Sequence, residues 1–478
     1  MTMQKTQMKN QDLAQEVANH ADYIKKLVYV EDVDLFYIYK KEQGFYEQYS
    51  VQSFEKFTWT YLKNEYPKQQ ITISKIKDVV AQIKLACNRQ EETLANSPYI
   101  AFADKLLHTT DFSTIPHSSS IITTFNIPYN YSELPETLAP QFQNFLNTTI
   151  VMPDYAKAQE DQSKNTPDKE LQGLVQEMFG YYFINNLYAS TAFFLVGMGA
   201  NGKSTLADLL SDIIGLKYTT SMSIQALTTD RFATAHLVGK KLNICNEEES
   251  RFIKNDKFKT LITGEMVNAE RKFGNNFDFK PTCKYLFCTN DVPTFSNLNY
   301  GVRRRIKLIP FNRIFLPAEQ DKQLSRKLRQ KEELMGIIAW AIEGAKRLIS
   351  NNYVFNVPST ALDAVRDLEN ASSSAINFFR ESYVVSDEDN TPSAILYDEY
   401  KEWCMRNTRK PLSAQNFSKD LHNVIDGLRQ TRMYDISVQG QVRSKNCKLI
   451  EIANIPPTPE EQKATDDTVQ AVDDLFKD

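Results

Sequence analysis

The sequence predicts an α/β protein of several domains, organised around a mostly parallel sheet. Three observations predict it. From Thr191 to about Pro310, apolar strand patterns alternate with helical ones, as expected of parallel strands joined by crossover helices. Inside that stretch the apolar run ending at Val196 passes through Gly197-Met-Gly-Ala-Asn-Gly202 into Lys203-Ser-Thr205 and a helical pattern reaching about Ile214. Finally, 478 residues exceed what one ordinary core organises, while 42% hydrophobic and 11% aromatic residues suit folded domains.

The elements follow in order. Residues 1–30 read as a polar helix or leader. Asp34–Lys40 and Gln43–Tyr46 read as two strands around a tight turn. Ile76, Val79, Val80, Ile83 and Cys87 fall on one helical stripe, with Ser74 available as a cap. A small α+β and helical N-terminal domain is therefore expected over 1–95. Residues 96–167, rich in Pro, Ser, Thr and Asn, are expected to connect it onward, with short strands around Ile121–Phe125. The central domain is expected over 168–352, led in by a helix, and a further module over 353–455, helices first and short strands last. Pro456-Pro-Thr-Pro459 and the acidic residues after it predict a disordered tail over 456–478.

Charge is unevenly spread. The net charge of −4 hides ten Lys/Arg against five Asp/Glu over 401–452, followed by two against seven over 453–478. The six cysteines form no C-x-x-C, and Cys283 and Cys288 sit in one apolar strand pattern, so core thiols are expected rather than a metal cluster. No apolar run approaches the ~18 residues of a bilayer span. A reduced, cytoplasmic protein without membrane contact is the expectation.

The glycine-rich stretch carries chemistry. Gly197, Gly199 and Gly202, with Ala200 and Asn201 between them, let successive backbone N–H groups face an anion, and the helix starting at Lys203 adds its positive end. Lys203 is expected to reach the β- and γ-phosphates of a nucleoside triphosphate, ATP, while Ser204, beside Thr205, holds Mg²⁺. A second site follows about 45 residues later, where Lys241–Asn246 ends in three carboxylates. Glu247 is assigned to the metal and Glu248 to the attacking water, with Glu249 a rival for the second role. Asn290, closing the apolar strand Lys284–Thr289, can orient that water. In Gly301-Val-Arg-Arg-Arg-Ile306, one guanidinium can serve as an arginine finger, an effect worth roughly 10³–10⁵ in turnover. Between these lies a candidate β-hairpin around Gly274-Asn275-Asn276, whose Arg271, Lys272 and Phe273 offer cations and an aromatic face to single-stranded DNA.

Together these residues resemble the superfamily 3 helicases, in the phage and plasmid primase-helicase branch that includes the poxvirus primase-helicase type. The resemblance rests on Gly202-Lys-Ser-Thr, the acidic strand end at Glu247, Ile262-Thr-Gly-Glu265 leading to Phe273, Asn290-Asp-Val-Pro293, and Arg304-Arg305-Ile306 with Ile309-Pro-Phe311. It covers about 190–312 closely and the flanks loosely. The pattern resembles replication initiators of pathogenicity islands and prophages. It implies an AAA+ fold, a hexameric ring with ATP between subunits, and 3′-to-5′ movement on single-stranded or forked DNA. By position it gives the finger to Arg304, with Arg305 as runner-up, and pore contacts to Lys272 and Phe273. Residues 393–452 resemble the family's C-terminal winged helix, which would bind origin duplex, and host replication proteins become candidate partners. Polar Asn243 and Asn246, on the strand leading to the carboxylates, depart from the family's pattern and leave the division of roles among the glutamates open. The lone Asp32-x-Asp34 reads as strand-edge polarity rather than a polymerising metal site. Two other readings stand beside a helicase: an ATP-regulated origin-binding initiator that loads a host helicase, and a P-loop enzyme acting on a small molecule.

Overall fold

The computed structural model describes residues 9–19, 27–67, 70–89, 97–136, 139–152, 166–246, 255–272, 274–290, 300–425, 427–435 and 440–449. Helix α1 (Asn10–Asn19), strands β1 (Leu27–Val30), β2 (Leu35–Lys40) and β3 (Phe45–Ser50), helices α2 (Val51–Glu65) and α3 (Ile73–Cys87), and the short β4 (Asn88–Arg89) open the chain. Their sheet runs β3-β2-β1-β4. Alternate strand residues point to opposite faces. Phe36 and Ile38 thus join Leu13, Val17, Phe54, Val79 and Ile83 under the helices, whereas Val28, Val30, Leu35 and Tyr37 enter a core shared with the central domain. Burial on both faces explains why Leu-Val-Tyr-Val is apolar throughout, although this strand falls inside the stretch read as a leader. The expected helical stripe is wholly buried. Gly44, at φ 70°, belongs to the expected turn.

A second small sheet, β7-β6-β5-β8, comprises β5 (Tyr99–Phe102), β6 (Leu106–His108), β7 (Thr114–Ile115) and β8 (Asn126–Ile127). The strand expected around Ile121–Phe125 falls just after it, at β8, with Phe125 O accepting from the Ala101 amide at 3.1 Å, and Ile121–Thr124 is not strand. There the serines bond locally, Ser118 Oγ with Ser120 Oγ at 2.7 Å, and the Ile121 amide closes a turn onto Ser118. This sheet is fastened to β3 by the Tyr46 amide, which donates to Thr123 O at 2.7 Å.

The central domain begins with α4 (Pro140–Thr149) and α5 (Lys169–Phe183). Asp168 caps α5, its Oδ1 accepting from the Leu171 amide at 2.9 Å. Then follow β9 (Ala192–Val196), α6 (Lys203–Ile214), β10 (Thr219–Thr220), α7 (Ile224–Thr229), α8 (Arg231–Ala235), β11 (Leu242–Cys245), α9 (Asn255–Thr263), β12 (Val267–Glu270), β13 (Asn276–Phe279), β14 (Lys284–Thr289), α10 (Tyr300–Arg303) and β15 (Ile306–Pro310). Five of these strands form an all-parallel sheet in the order β10-β11-β14-β9-β15. Its strands are buried almost without break because both faces are covered. Phe193, Leu195, Leu286 and Ile309 pack on one side, and Phe194, Tyr285, Phe287 and Leu308 on the other. The expected hairpin is present as β12 and β13, antiparallel from Val267↔Phe279 to Glu270↔Asn276.

Two further helices, α11 (Leu324–Leu328) and α12 (Lys331–Ser350), return beneath the sheet, and α13 (Ser359–Ser372) follows. Helix α12 lies directly on α5 because glycines meet there. A Cβ on Gly180 would stand 2.1 Å from Ala345 N, and one on Gly344 2.1 Å from Gln176 O. Glu177, buried at this crossing, accepts from Arg347 Nε at 2.8 Å and from the Asn356 amide at 2.9 Å. The chain divides into two compact units, Met1–Leu368 and Glu369–Asp478.

The second unit contains α14 (Ser374–Ser382), β16 (Tyr383–Val385), β17 (Thr391–Pro392), α15 (Ser393–Arg406), α16 (Ala414–Val424), β18 (Gln430–Asp435), β19 (Gly440–Lys445) and β20 (Cys447–Leu449). Strands β17, β19 and β18 form one sheet, and β16 pairs with β20. Phe378, Tyr400, Trp403, Phe417, Leu421 and Leu428 fill its core. The tail read as disordered lies outside the described residues. All six cysteines are buried free thiols, and among the described residues no group of acids, histidines and cysteines could hold a metal. Among them, too, no helix is long and apolar enough to cross a membrane.

Candidate nucleotide-binding site

Strand β9 delivers the chain to Gly197 at the C-terminal edge of the parallel sheet, and α6 starts at Lys203. The intervening loop needs unusual backbone. Gly199, Ala200 and Gly202 all have positive φ, 97°, 46° and 90°, a region that costs side-chain-bearing residues energy. The loop is walled on two sides. A Cβ on Gly202 would come within 2.9 Å of Thr149 Cγ2 and 3.2 Å of Phe145 Cε2 on α4. Opposite, the segment after β15 lies along the loop, the Phe311 amide donating to Val196 O and the Phe315 amide to Ala200 O, both at 2.8 Å. At Gly199 a Cβ added to the chain would meet nothing within 4 Å among the described residues.

Lys203 is only 5% exposed, and its Nζ donates to Gly197 O and, at 3.0 Å, to Asn201 Oδ1. Burial holds the amine below its ordinary range, with Cys288 nearby working weakly the other way. Ser204 is exposed on the first turn of α6 and Thr205 is half-buried. These groups suit a triphosphate: a cation stands at a helix N-terminus, and the Ser204 hydroxyl has no hydrogen-bond partner among the described residues and can reach a metal.

The neighbouring strands bring other expected residues to the same edge. Thr289 pairs with Val196, and the Gly197 amide donates to Thr289 O at 3.2 Å, so exposed Asn290 stands beside the start of the loop. Strand β11 ends one strand further out, Cys245 pairing with Phe287. Glu247, Glu248 and Glu249 lie outside the described residues, as does Phe273. The two polar residues of β11 have structural work. Asn243 accepts from the Met222 amide and donates to Met222 O, both at 2.9 Å, as a backbone neighbour would. Asn246 Nδ2 donates to Asp208 Oδ1 at 3.1 Å, tying the strand end to α6.

The remaining candidates lie elsewhere. Arg304 and Arg305 precede β15, and Arg305 O accepts from the Ala192 amide at the start of β9. The five residues of β9 (Ala192–Val196), at ~3.3 Å each, put them roughly 16 Å from the phosphate loop. Arg305 is committed, its Nη1 donating to Gly301 O at 2.5 Å, whereas the exposed Arg304 side chain makes no ion pair or hydrogen bond among the described residues. On the hairpin, Arg271 Nη2 donates to Val33 O at 2.6 Å and its guanidinium lies 4.9 Å from the Phe277 ring centre. That side chain, expected to meet DNA, is engaged with the β1–β2 turn, while Lys272 at the tip is exposed. Sequence reasoning did not find Thr149, nor Arg313, which is 7% exposed, donates to Thr148 O and Glu319, and stacks on Phe315. No local pattern marks them, because each belongs to an element brought to the loop by the fold.

A glycine-rich loop between a central parallel strand and a buried helix defines a P-loop-type α/β core. Comparison with known proteins gives its relatives. Residues 195–305 match a family of unknown function, DUF5906, and residues 373–455 match the "Poxvirus D5 protein-like" family. The chain is 28% identical over 172 residues to "Putative helicase L207/L206" of Acanthamoeba polyphaga mimivirus, covering 34% of this chain and 18% of that protein. It is 20% identical over 376 residues to "Putative helicase 121R" of Invertebrate iridescent virus 3, covering 70% and 40% respectively. The chain thus spans well under half the length of these relatives. Among solved structures, the apo structure of the NrS-1 C-terminal region (305–718) aligns over 88% of this chain and 96% of that one, at 14% identity and a TM-score of 0.49. Residues 373–455 are thus similar to the D5-like family, and the chain is similar to viral proteins named as putative helicases, the resemblance its motifs indicated.

Proposed function

We propose that the protein is an ATP-dependent DNA helicase and replication initiator of a mobile genetic element, working as an AAA+ ring of superfamily 3 type. The observation that carries this reading is the split between the two halves of the candidate catalytic set. Lys203, Ser204 and Asn290 share one edge of the sheet, and the unpartnered Arg304 sits at the other, roughly 16 Å away by strand length. A guanidinium there is out of reach of its own loop but is free to serve a neighbour's, which supports catalysis at subunit junctions, in a hexamer by resemblance.

Within one subunit, Lys203 and the amides of the loop would hold the triphosphate, and Ser204 with Glu247 its Mg²⁺. The nucleotide supplies the free energy that drives movement along DNA. Glu248 is assigned to polarise the attacking water, with Glu249 as its rival, and Asn290 to orient that water. Lys272 and Phe273, which follow β12 in the sequence, are assigned to the threaded strand, with 3′-to-5′ direction by resemblance. Arg271 is better described as holding the hairpin to the β1–β2 turn. In the second unit, three helices followed by a hairpin whose sheet runs β17-β19-β18 support a winged-helix reading, with origin duplex as its target.

The test is strand displacement with purified protein. Lys203→Ala is expected to keep DNA binding while losing ATP hydrolysis and unwinding. Wild-type protein that hydrolyses ATP but separates no forked DNA would favour the initiator that loads a host helicase instead. Unwinding retained by Lys203→Ala would reject the mechanism.

A further inference from the structure

The elbow between α11 and α12 carries a concavity of about 650 Å³ lined by Lys322, Ser325, Arg326, Arg329, Gln330, Lys331 and Glu332, all exposed. It is separate from the phosphate loop. Arg329 Nε pairs at 2.5 Å with Asp212 Oδ2, in the last turn of α6, so the concavity adjoins the end of that helix remote from Lys203. Its frame is fixed: Leu328 is buried, and the Glu333 carboxylate accepts from the Gln141 and Phe142 amides at the start of α4.

The cations around it are unevenly satisfied. Arg329 has Asp212, and Lys327 beside them has Asp321 at 2.6 Å. Lys322, Arg326 and Lys331 make no ion pair or hydrogen bond among the described residues. Lys331 is the first residue of the 20-residue helix α12, the end at which a cation is disfavoured by the helix dipole. An anion in the concavity would relieve that cost and meet the other two cations as well. Glu332 is the one acidic group lining it among the described residues. Ser325 and Gln330 add neutral donors, and among the described residues no aromatic ring lines the surface, so it offers phosphates much and bases nothing to stack on.

We infer that this concavity is a second nucleic-acid contact, gripping the sugar-phosphate backbone of single-stranded DNA through Lys322, Arg326 and Lys331 without reading sequence. The inference rests on the helicase reading but concerns a surface outside both the phosphate loop and the hairpin. The test is a titration of the full chain with fluorescein-labelled oligo(dT) 20-mer between about 50 and 200 mM salt. The variant is Lys322→Gln/Arg326→Gln/Lys331→Gln, and the control Lys41→Gln/Lys56→Gln/Lys77→Gln, three exposed lysines of the N-terminal domain. Three lost phosphate contacts at about 0.7 each flatten the slope of log K against log salt by about 2, so wild type loses about 20-fold more affinity than the variant across that range. The control keeps the wild-type slope, and ATP hydrolysis without DNA is the same in all three proteins. An unchanged slope in the concavity variant overturns the inference while leaving the helicase reading intact. So does an unchanged slope combined with lost binding of a peptide of residues 453–478, which would make the occupant an acidic polypeptide. Wild-type protein that binds no oligo(dT) at all would overturn both.

Discussion

Replacing Gly202 by alanine should cost more than the same change at Gly199, and the difference is set by one methyl group. Both glycines have φ near +90°, so each alanine pays roughly 1–2 kcal/mol for the left-handed backbone. At Gly199 nothing else among the described residues opposes the new Cβ. At Gly202 it meets Thr149 Cγ2 at 2.9 Å and Phe145 Cε2 at 3.2 Å, inside a wall built from buried residues of α4. Overpacking of that kind adds about 1–3 kcal/mol. Thr149→Ser removes the nearer methyl, and the Thr149 hydroxyl has no hydrogen-bond partner to lose. Chemical denaturation should therefore rank wild type above Gly199→Ala and that above Gly202→Ala, with Thr149→Ser recovering part of the Gly202→Ala loss. A fluorescent ATP analogue should bind the variants in the same order. Equal losses at the two glycines, with no recovery from Thr149→Ser, would refute the proposed contact between α4 and the loop.

Three other outcomes are expected. Gly344→Ala drives a Cβ into the backbone of α5 at Gln176, so α5 and α12 must separate; a loss of about 1–3 kcal/mol or more is expected by denaturation, against a few tenths for an exposed site. Asn243→Leu leaves the Met222 amide and carbonyl without their partner, and a loss of roughly 1–3 kcal/mol is expected in the same assay. Lys445, 1% exposed, donates to Ser418 Oγ at 3.0 Å and faces His422 Nε2 at 2.7 Å, and burial brings its amine down to about 8. With the folded pKa below the ordinary 10.5, the unfolded chain binds more protons between those values, so this group's contribution to stability rises with pH from about 8 to 10.5. Lys445→Met should flatten that rise in denaturation measured across the window.

How much can be read from residues alone depends on whether the relevant groups are neighbours in the chain. Gly197 to Thr205 is legible as a candidate phosphate loop because strand, glycines, lysine and helix are contiguous. The stripe from Ile76 to Cys87 and the hairpin around Gly274 are legible for the same reason: each is set by a short period or turn. The insertion of β14 between β9 and β11 is not, since parallel pairing joins residues some 90 apart, as in Leu286↔Phe193. The strand Leu27–Val30 is hidden within an apparent leader because its reason for being apolar, a sheet covered on both faces, lies in Phe279 and Phe54 far along the chain. Arg271 misleads in the opposite way. Residue type and hairpin position suggest DNA, but its guanidinium bonds Val33, 238 positions away. Asn243 and Asn246, polar in and just after an otherwise apolar strand, make backbone and helix contacts that only the folded chain supplies.

The most direct test of catalysis between subunits is a mixing experiment. Lys203→Ala and Arg304→Ala are each expected to lose DNA-stimulated ATP hydrolysis when assayed alone. Mixed, they should recover part of it, because some junctions then pair an intact phosphate loop with an intact arginine. If no mixing ratio restores hydrolysis although the two variants assemble together, Arg304 does not act on a neighbour's nucleotide and the account of a junction-driven motor fails.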